Sequence, residues 1–268
     1  MLSTERSMNE PNLKTTEESE SQTQMDDCVG YLHSVETGGM ADGPGVRFIA
    51  FLSGCPLRCV YCHNPDMVCM KDGTPTKSSD LLAEIAKYAS FLKRSGGGVT
   101  ISGGEPLAQP EFTKAILRGC KEMGLHTAID TSGFLGRKAD QEILRWTDLV
   151  LLDIKSGKPE EYKRVTGKAL QPTLEFATRL SNLEKPMWIR YVLVPGYTDQ
   201  PDNVDSVAGF VASLKSVERI DILPFHKMGE KKWVHVSTIY ELTDTPEPTQ
   251  EQVSAARQSF EAHGLKAY

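Results

Sequence analysis

The chain has 268 residues, of which 39% are apolar, and this is enough for one domain with a sizeable core. A formal net charge of −6 excludes the strongly basic surface typical of nucleic-acid-binding proteins, so we expect no nucleic-acid partner. The sequence contains neither a run of about 20 apolar residues nor a secretory signal pattern. We therefore expect a soluble, cytosolic protein that does not attach to a membrane.

The first 27 residues are rich in Ser, Thr, Glu and Gln and almost free of large apolar side chains. Such a composition buries too little surface to offset chain entropy. We therefore expect a disordered polar and acidic tail at residues 1–27 and one folded domain at residues 28–268.

Three closely spaced cysteines, Cys55, Cys59 and Cys62, lie in the run GCPLRCVYCHN. Clustered thiols without a paired framework indicate a metal site in a reducing compartment rather than disulfides. Iron–sulfur clusters usually have four cysteine ligands, so three would leave one iron open to a substrate or cofactor. Structural zinc stays an alternative, since His63 could complete a Cys3His site, and so do plain buried thiols.

From Val46 onward, β-rich runs alternate with helical patterns, which is typical of βα units in a parallel sheet. The predicted strands are Val46–Leu52, Gly98–Ser102, Thr127–Thr131, Leu149–Lys155, Trp188–Val194 and Arg219–Phe225. The predicted helices are Ser79–Lys93, Glu111–Met123, Asp140–Trp146, Thr173–Leu183, Asn203–Leu214 and Thr249–His263. Six such units predict an α/β fold, a partial barrel with a lateral gap.

Polar motifs follow several of these strands, where the loops of parallel α/β folds collect ligands. The run SGGEP, residues 102–106, has two glycines that allow close approach of a ligand, although from the residues alone a tight strand-to-helix turn is the favoured interpretation. Asp153 and Lys155 share one face of their strand, which indicates either a ligand site or a plain ion pair. Arg190 lies on one face of its predicted strand, and the sequence does not decide which face is inward. An inward guanidinium needs an anionic partner. Asp42, in DGPG, is most simply a turn residue.

The CxxxCxxC spacing resembles that of the radical S-adenosylmethionine (SAM) superfamily. The run GGMADGPGVRFIAFLSGC resembles the signature of its glycyl-radical-enzyme activases, and SGGEP, DTSGF, DLVLLDIK, WIRYVLVPG and ILPFH follow in that family's order. The resemblance extends from about Val29 to Tyr268. It implies a partial (β/α)6 TIM-like barrel of the radical SAM type as the catalytic domain, with one [4Fe–4S] cluster on the three cysteines and SAM at the open iron.

The resemblance also implies roles for individual residues. Lys155 would meet the SAM carboxylate, and a monovalent cation would bridge that carboxylate to Asp130 and Asp153 with help from the carbonyls of Thr131 and Leu151. Asp42 would hold the substrate peptide, and the expected catalytic residues are Lys155, Asp42 and Arg190. The expected SAM contacts are Tyr61, Cys62, His63, Gly104, Glu105, Asp130, Asp153, Ile154, Lys155 and His226.

The activity implied by the resemblance is hydrogen abstraction from a glycine Cα of pyruvate formate-lyase by a 5′-deoxyadenosyl radical. Activases of ketobutyrate formate-lyase and of glycerol or diol dehydratase stay as alternatives, although many of the dehydratase type carry extra cysteine clusters before the GGE motif, where only Cys69 occurs here. A non-catalytic zinc-binding module is the alternative from another class.

The same resemblance implies an electron donor, either flavodoxin or ferredoxin. Both are typically acidic, so the basic cluster of Lys227, Lys231 and Lys232 beside Trp233 is a candidate docking site, with a solvated loop face as the alternative. We expect a monomer.

Overall fold

The computed structural model describes residues 27–236 and 239–268. The strands are β1 Val29–Gly39, β2 Arg47–Leu52, β3 Thr74–Lys77, β4 Gly98–Gly103, β5 His126–Thr131, β6 Leu149–Asp153, β7 Met187–Leu193 and β8 Val217–Pro224. The helices are α1 Ser78–Arg94, α2 Pro110–Glu122, α3 Gln141–Arg145, α4 Pro159–Thr166, α5 Gln171–Asn182, α6 Pro201–Ala212, α7 Glu230–Trp233 and α8 Gln250–Ala262.

The strands form one sheet in the order β3-β1-β2-β4-β5-β6-β7-β8. From β2 to β8 all neighbours are parallel, whereas β1 pairs antiparallel with both β2 and β3. In the part of the chain that the structure describes, the sheet does not close, because β3 and β8 lie at its two ends. The predicted six-stranded partial barrel is therefore confirmed, with a two-strand extension at one side.

Alternation along β7 shows which side of the sheet faces inward. Ile189 and Tyr191 are buried in the core between the sheet and the helices, whereas Trp188 packs on Ala128 of β5 inside the barrel. Arg190 therefore points into the barrel, which decides the question that the sequence left open. The interior has an apolar layer of Ala128, Leu149, Leu151 and Trp188 below a polar layer at the carboxyl ends of the strands.

The two margins of the open sheet are protected. At the first, β3 is only four residues long and contains Pro75, which has no N–H to offer another strand. At the second, the backbone N–H of Tyr268 donates to Ile220 (2.9 Å), and Ile222 donates to the Tyr268 carbonyl (3.0 Å). The end of the chain thus covers the lower part of β8.

Residues 1–26, most of the expected tail, lie outside the described residues. Asp27, which we expected in the tail, is described, and its carboxylate accepts hydrogen bonds from the Ser78 hydroxyl (3.1 Å) and the Ser79 N–H (3.2 Å) at the start of α1. No helix within 27–236 or 239–268 has the length and apolar character that crossing a membrane requires.

Candidate active site

The three predicted metal-binding cysteines lie in the loop that follows β2, and backbone hydrogen bonds hold this loop at both sides. Cys55 donates to the Val68 carbonyl (3.0 Å), and Val60 donates to the Val165 carbonyl at the end of α4 (3.0 Å). Gly104, after β4, lies so close that a Cβ there would be 2.7 Å from the carbonyls of Gly54 and Met67. Its missing side chain is what lets the cysteine loop pack on the end of β4.

All three cysteines line one cavity of about 300 Å³ at the carboxyl ends of the strands. The predicted residues that share this cavity are Asp42, Tyr61, His63, Gly104, Asp130, Asp153, Lys155 and Arg190. Most of the site residues predicted from the sequence therefore lie in one cavity, because parallel strands bring their carboxyl ends together.

The donor set fits an iron–sulfur cluster. Burial raises the pKa of Cys55 and Cys62 and raises that of Cys59 to about 12, and a bound metal cation would offset this rise because coordination favours the thiolate. Among residues 27–236 and 239–268, no three His, Cys, Asp or Glu side chains converge as ligands of a single ion. Ligands of a multi-iron cluster are spaced around a larger volume instead, and all three thiols line the same cavity.

Arg190 is the centre of a buried charge cluster. Its Nε donates to Asp153 Oδ1 (2.9 Å), its Nη2 donates to Asp130, and its Nη1 lies 3.4 Å from Asp42 Oδ1. The Lys155 Nζ donates to the other oxygen of Asp153 (3.0 Å), and Ser102 donates to Asp130 (2.6 Å). Burial alone would raise the pKa of Asp153, but the Arg190 and Lys155 cations lower it, so this carboxylate stays ionised. For Asp42, burial and the nearby Asp130 raise the pKa.

The loop between β1 and β2 folds into the barrel and carries Asp42 with it. The hydroxyl of Thr100, an inward residue of β4, donates to the Asp42 carbonyl (2.6 Å). The fully buried Arg47 donates to Thr100 Oγ1 (3.0 Å) and to the Pro44 carbonyl (3.4 Å). Asp42 is therefore more than a turn residue, since its turn is fixed against the inner face of the sheet.

Three predicted SAM contacts do not line the cavity. The Glu105 carboxylate accepts hydrogen bonds from Leu107, Thr131 and Ser132, and it is 1% exposed. These contacts join the loops after β4 and β5, whereas the resemblance implied a contact between Glu105 and SAM. The Ile154 side chain lies in the helix-side core, because alternation turns it away from Asp153. The His226 ring packs against His63, which lines the cavity, with 4.2 Å between the ring centroids.

The basic cluster is largely engaged within the protein. Lys232 donates to Asn64 Oδ1 (2.9 Å) and Lys227 donates to the Thr243 carbonyl, while Lys231 is exposed. The indole of Trp233 donates to the carbonyl of Cys62 (2.9 Å). This contact was missed from the sequence, because Trp233 follows Cys62 by 171 positions and no local pattern joins them.

A three-cysteine loop and a polar layer at the carboxyl ends of an open α/β barrel define a class of protein, and comparison with known families agrees. Residues 49–205 match the model of the Radical SAM superfamily. A radical SAM methyltransferase from Sphaerobacter thermophilus shares the fold, with a TM-score of 0.62 over 89% of this chain and 76% of that one, at 16% identity. The chain belongs to the radical SAM superfamily.

More similar relatives narrow the family. The chain is 41% identical over 240 residues to the pyruvate formate-lyase 1-activating enzyme of Escherichia coli, covering 89% of this chain and 98% of that protein. It is 45% identical over 236 residues to the pyruvate formate-lyase-activating enzyme of Staphylococcus aureus, covering 85% and 93%. A solved domain of such an enzyme from Bacteroides vulgatus matches with a TM-score of 0.54 and 30% identity, covering 64% of this chain and 98% of that one. Within the superfamily, this chain belongs to the pyruvate formate-lyase-activating enzymes.

Proposed function

We propose that this protein activates pyruvate formate-lyase by generating a glycyl radical on it. The observation that carries the proposal is one cavity lined by three cysteines, Lys155 and Arg190, in a chain 41% identical to an activating enzyme over 98% of its length. When bound, the [4Fe–4S] cluster supplies the electron that cleaves SAM, and the resulting 5′-deoxyadenosyl radical takes the Cα hydrogen of a glycine.

The chain's own residues bind and orient the cofactor. Lys155 is held between the Asp153 carboxylate and the face of Tyr61, 5.7 Å from the ring centroid, and in this position it binds the SAM carboxylate. The main chain at Gly104 meets the SAM amino group. The neighbouring rings of His63 and His226 support the ribose and adenine side.

The charge balance of the cavity favours a bound monovalent cation. Among the residues that the structure describes, the carboxylates of Asp42, Asp130 and Asp153 pair with two cations, Arg190 and Lys155, which leaves one negative charge when all three are ionised. A cation between Asp130 and Asp153, with the carbonyls of Thr131 and Leu151, would neutralise it.

The substrate is a protein loop, and the open side of the barrel suits its entry. Asp42 faces the cavity from a turn fixed by Thr100 and Arg47, so it contacts the incoming glycine segment. The electron comes from flavodoxin or ferredoxin. Lys231 is the exposed lysine of the basic cluster and serves donor docking, whereas Lys227 and Lys232 are bonded internally. We place the protein in the cytosol as a monomer.

The direct test is to incubate the reconstituted protein with SAM, a reductant and pyruvate formate-lyase under anaerobic conditions. Electron paramagnetic resonance should show the doublet of a glycyl radical on the lyase, and Cys59→Ala should abolish it. A signal that appears with ketobutyrate formate-lyase or glycerol dehydratase, but not with pyruvate formate-lyase, would transfer the function to that substrate. No signal with any of these enzymes, from protein that contains iron and sulfide, would refute the proposal.

A further inference from the structure

Trp233 lies at the end of α7, where its indole reaches the cysteine loop. Its Nε1 donates to the carbonyl of Cys62 at 2.9 Å. The ring packs on Tyr240, with 5.4 Å between the centroids, and Tyr240 packs on the hydrophobic cluster that contains Tyr61. The donor therefore reaches the Cys62 carbonyl from a position that the Tyr240 ring supports.

The residues before Trp233 contact the same part of the loop. Lys232 Nζ donates to Asn64 Oδ1 at 2.9 Å. His63 Nε2 lies 3.0 Å from the His226 carbonyl, and a Cβ on Gly229 would lie 2.7 Å from His63 Cα. Residues 226–233 thus follow residues 62–64 at contact distance, with no room for a side chain at the tightest point.

The main chain of Cys62 is held by two hydrogen bonds, one within the cysteine loop and one from Trp233. Its N–H donates to the Cys59 carbonyl (3.0 Å), which fixes the turn between the two thiols. Its own carbonyl is bonded by the Trp233 indole, from another part of the fold. Removal of that donor leaves the Cys62 carbonyl without this hydrogen bond and loosens the peptide next to the Cys62 thiol.

We infer that Trp233 is a positioning residue for the third cluster cysteine. Through its indole N–H it fixes the Cys62 main chain, and with it the thiolate, against residues 226–233 and the cavity. The inference rests on the proposed function, since it assigns the three cysteines to a cluster. It adds a residue that touches neither the cluster iron nor SAM and that acts through Cys62.

The test uses the reconstituted holoenzyme and measures the rate at which iron passes to a chelator under anaerobic conditions. Trp233→Phe keeps an aromatic ring and removes the N–H donor, so it should release iron about fivefold faster, the effect of one lost hydrogen bond on loop opening. Trp146→Phe is the matched control. Trp146 packs on the helix-side core with its ring under Arg145, so this variant should keep the parental rate.

Two further measurements separate positioning from general destabilisation. Iron removal from the parent should increase tryptophan emission, because the cluster quenches nearby indoles, and this increase should be smaller in Trp233→Phe but unchanged in Trp146→Phe, since Trp188 inside the barrel contributes in every variant. Lys232→Met, which removes the bond to Asn64, is the second variant and should also accelerate release. A parental release rate in Trp233→Phe, or equal acceleration in Trp146→Phe, would overturn the inference. Iron release needs no glycyl-radical partner, so this result is independent of the activase assay.

Discussion

The polar layer of the barrel depends on Arg190. Its side chain is 13% exposed, and its guanidinium is shared by Asp42, Asp130 and Asp153. A charge buried to this degree is stable only when it is paired. The guanidinium compensates the three carboxylates, and they compensate the guanidinium. Burial lowers the pKa of Arg190, but Asp130 and Asp153 raise it by more, so the guanidinium stays charged in the fold.

We expect Arg190→Met to lower the free energy of unfolding by about 3 kcal/mol, because buried carboxylates lose their common counter-ion. Urea denaturation of the metal-free protein measures this. Arg137→Met is the control, since Arg137 is 85% exposed and pairs with Glu175 at the surface, where a pair contributes less than about 1 kcal/mol. Equal losses in the two variants would show that the charge cluster does not stabilise the fold.

The sequence predicted most of the site because its residues stand at strand ends, where the topology alone brings them together. What it could not give is the partner of each side chain. Arg190 and Asp42 are 148 positions apart, and Glu105 reaches Thr131 and Ser132 only because β4 and β5 are neighbours. Such pairings depend on register and side-chain length, which local patterns do not contain.

At the scale of elements, Asp148 joins α2, β5 and β6. Its carboxylate accepts two hydrogen bonds from Lys121 Nζ (2.8 and 2.9 Å) and one from the Thr127 N–H (2.9 Å). Burial raises the pKa of Asp148, but the hydrogen bonds from Lys121 and Thr127 lower it by a larger amount. The pKa of Asp148 is therefore below its usual value. A depressed carboxyl pKa stabilises the fold above the unfolded-state pKa of about 4, and this contribution is lost as the pH falls through the folded-state value.

Asp148→Asn should therefore lower the free energy of unfolding by about 1 kcal/mol at neutral pH, the usual contribution of a hydrogen bond to a charged group after partial exposure. The difference in stability between this variant and the parent should disappear as the pH is lowered below about 4. At that pH the parent Asp148 becomes protonated, so its side chain is uncharged like that of the asparagine. Urea denaturation across this pH range tests it, with Glu122→Gln at the exposed pair with Arg118 as a nearly neutral control. A difference that persists in acid would show that the carboxylate charge is not the cause.

The sequence predicted the six parallel strands and six of the helices because their apolar periodicity is long and regular. It missed β1 and β3, since β1 is mostly exposed and β3 has four residues with a proline. The four-residue helix α7 was also missed, and so was the short helix α4, although Pro159 at its start and Gly167 beyond its end, with φ of 71°, are standard helix-boundary signals. Only the last of these omissions had a readable signal.

At the scale of the whole molecule, residues 267 and 268 complete the sheet beside β8. We expect their deletion to lower the free energy of unfolding by about 2 kcal/mol, because two backbone hydrogen bonds to Ile220 and Ile222 are lost. Light scattering should also rise, since part of a strand edge is exposed. Tyr268→Ala is the control, as it keeps the backbone bonds and removes only the ring 5.2 Å from Arg219. A deletion variant as stable as the parent would contradict this role.

A barrel that is open at the side exposes two strand margins, and unprotected margins recruit strands from other molecules. In this protein Pro75 removes one backbone N–H donor from the margin at β3. Residues 267 and 268 cover the lower part of the margin at β8. A foreign polypeptide therefore gains little by simply extending the sheet. For the polypeptide substrate proposed above, recognition would then depend on complementary side chains at the mouth of the barrel rather than on strand pairing.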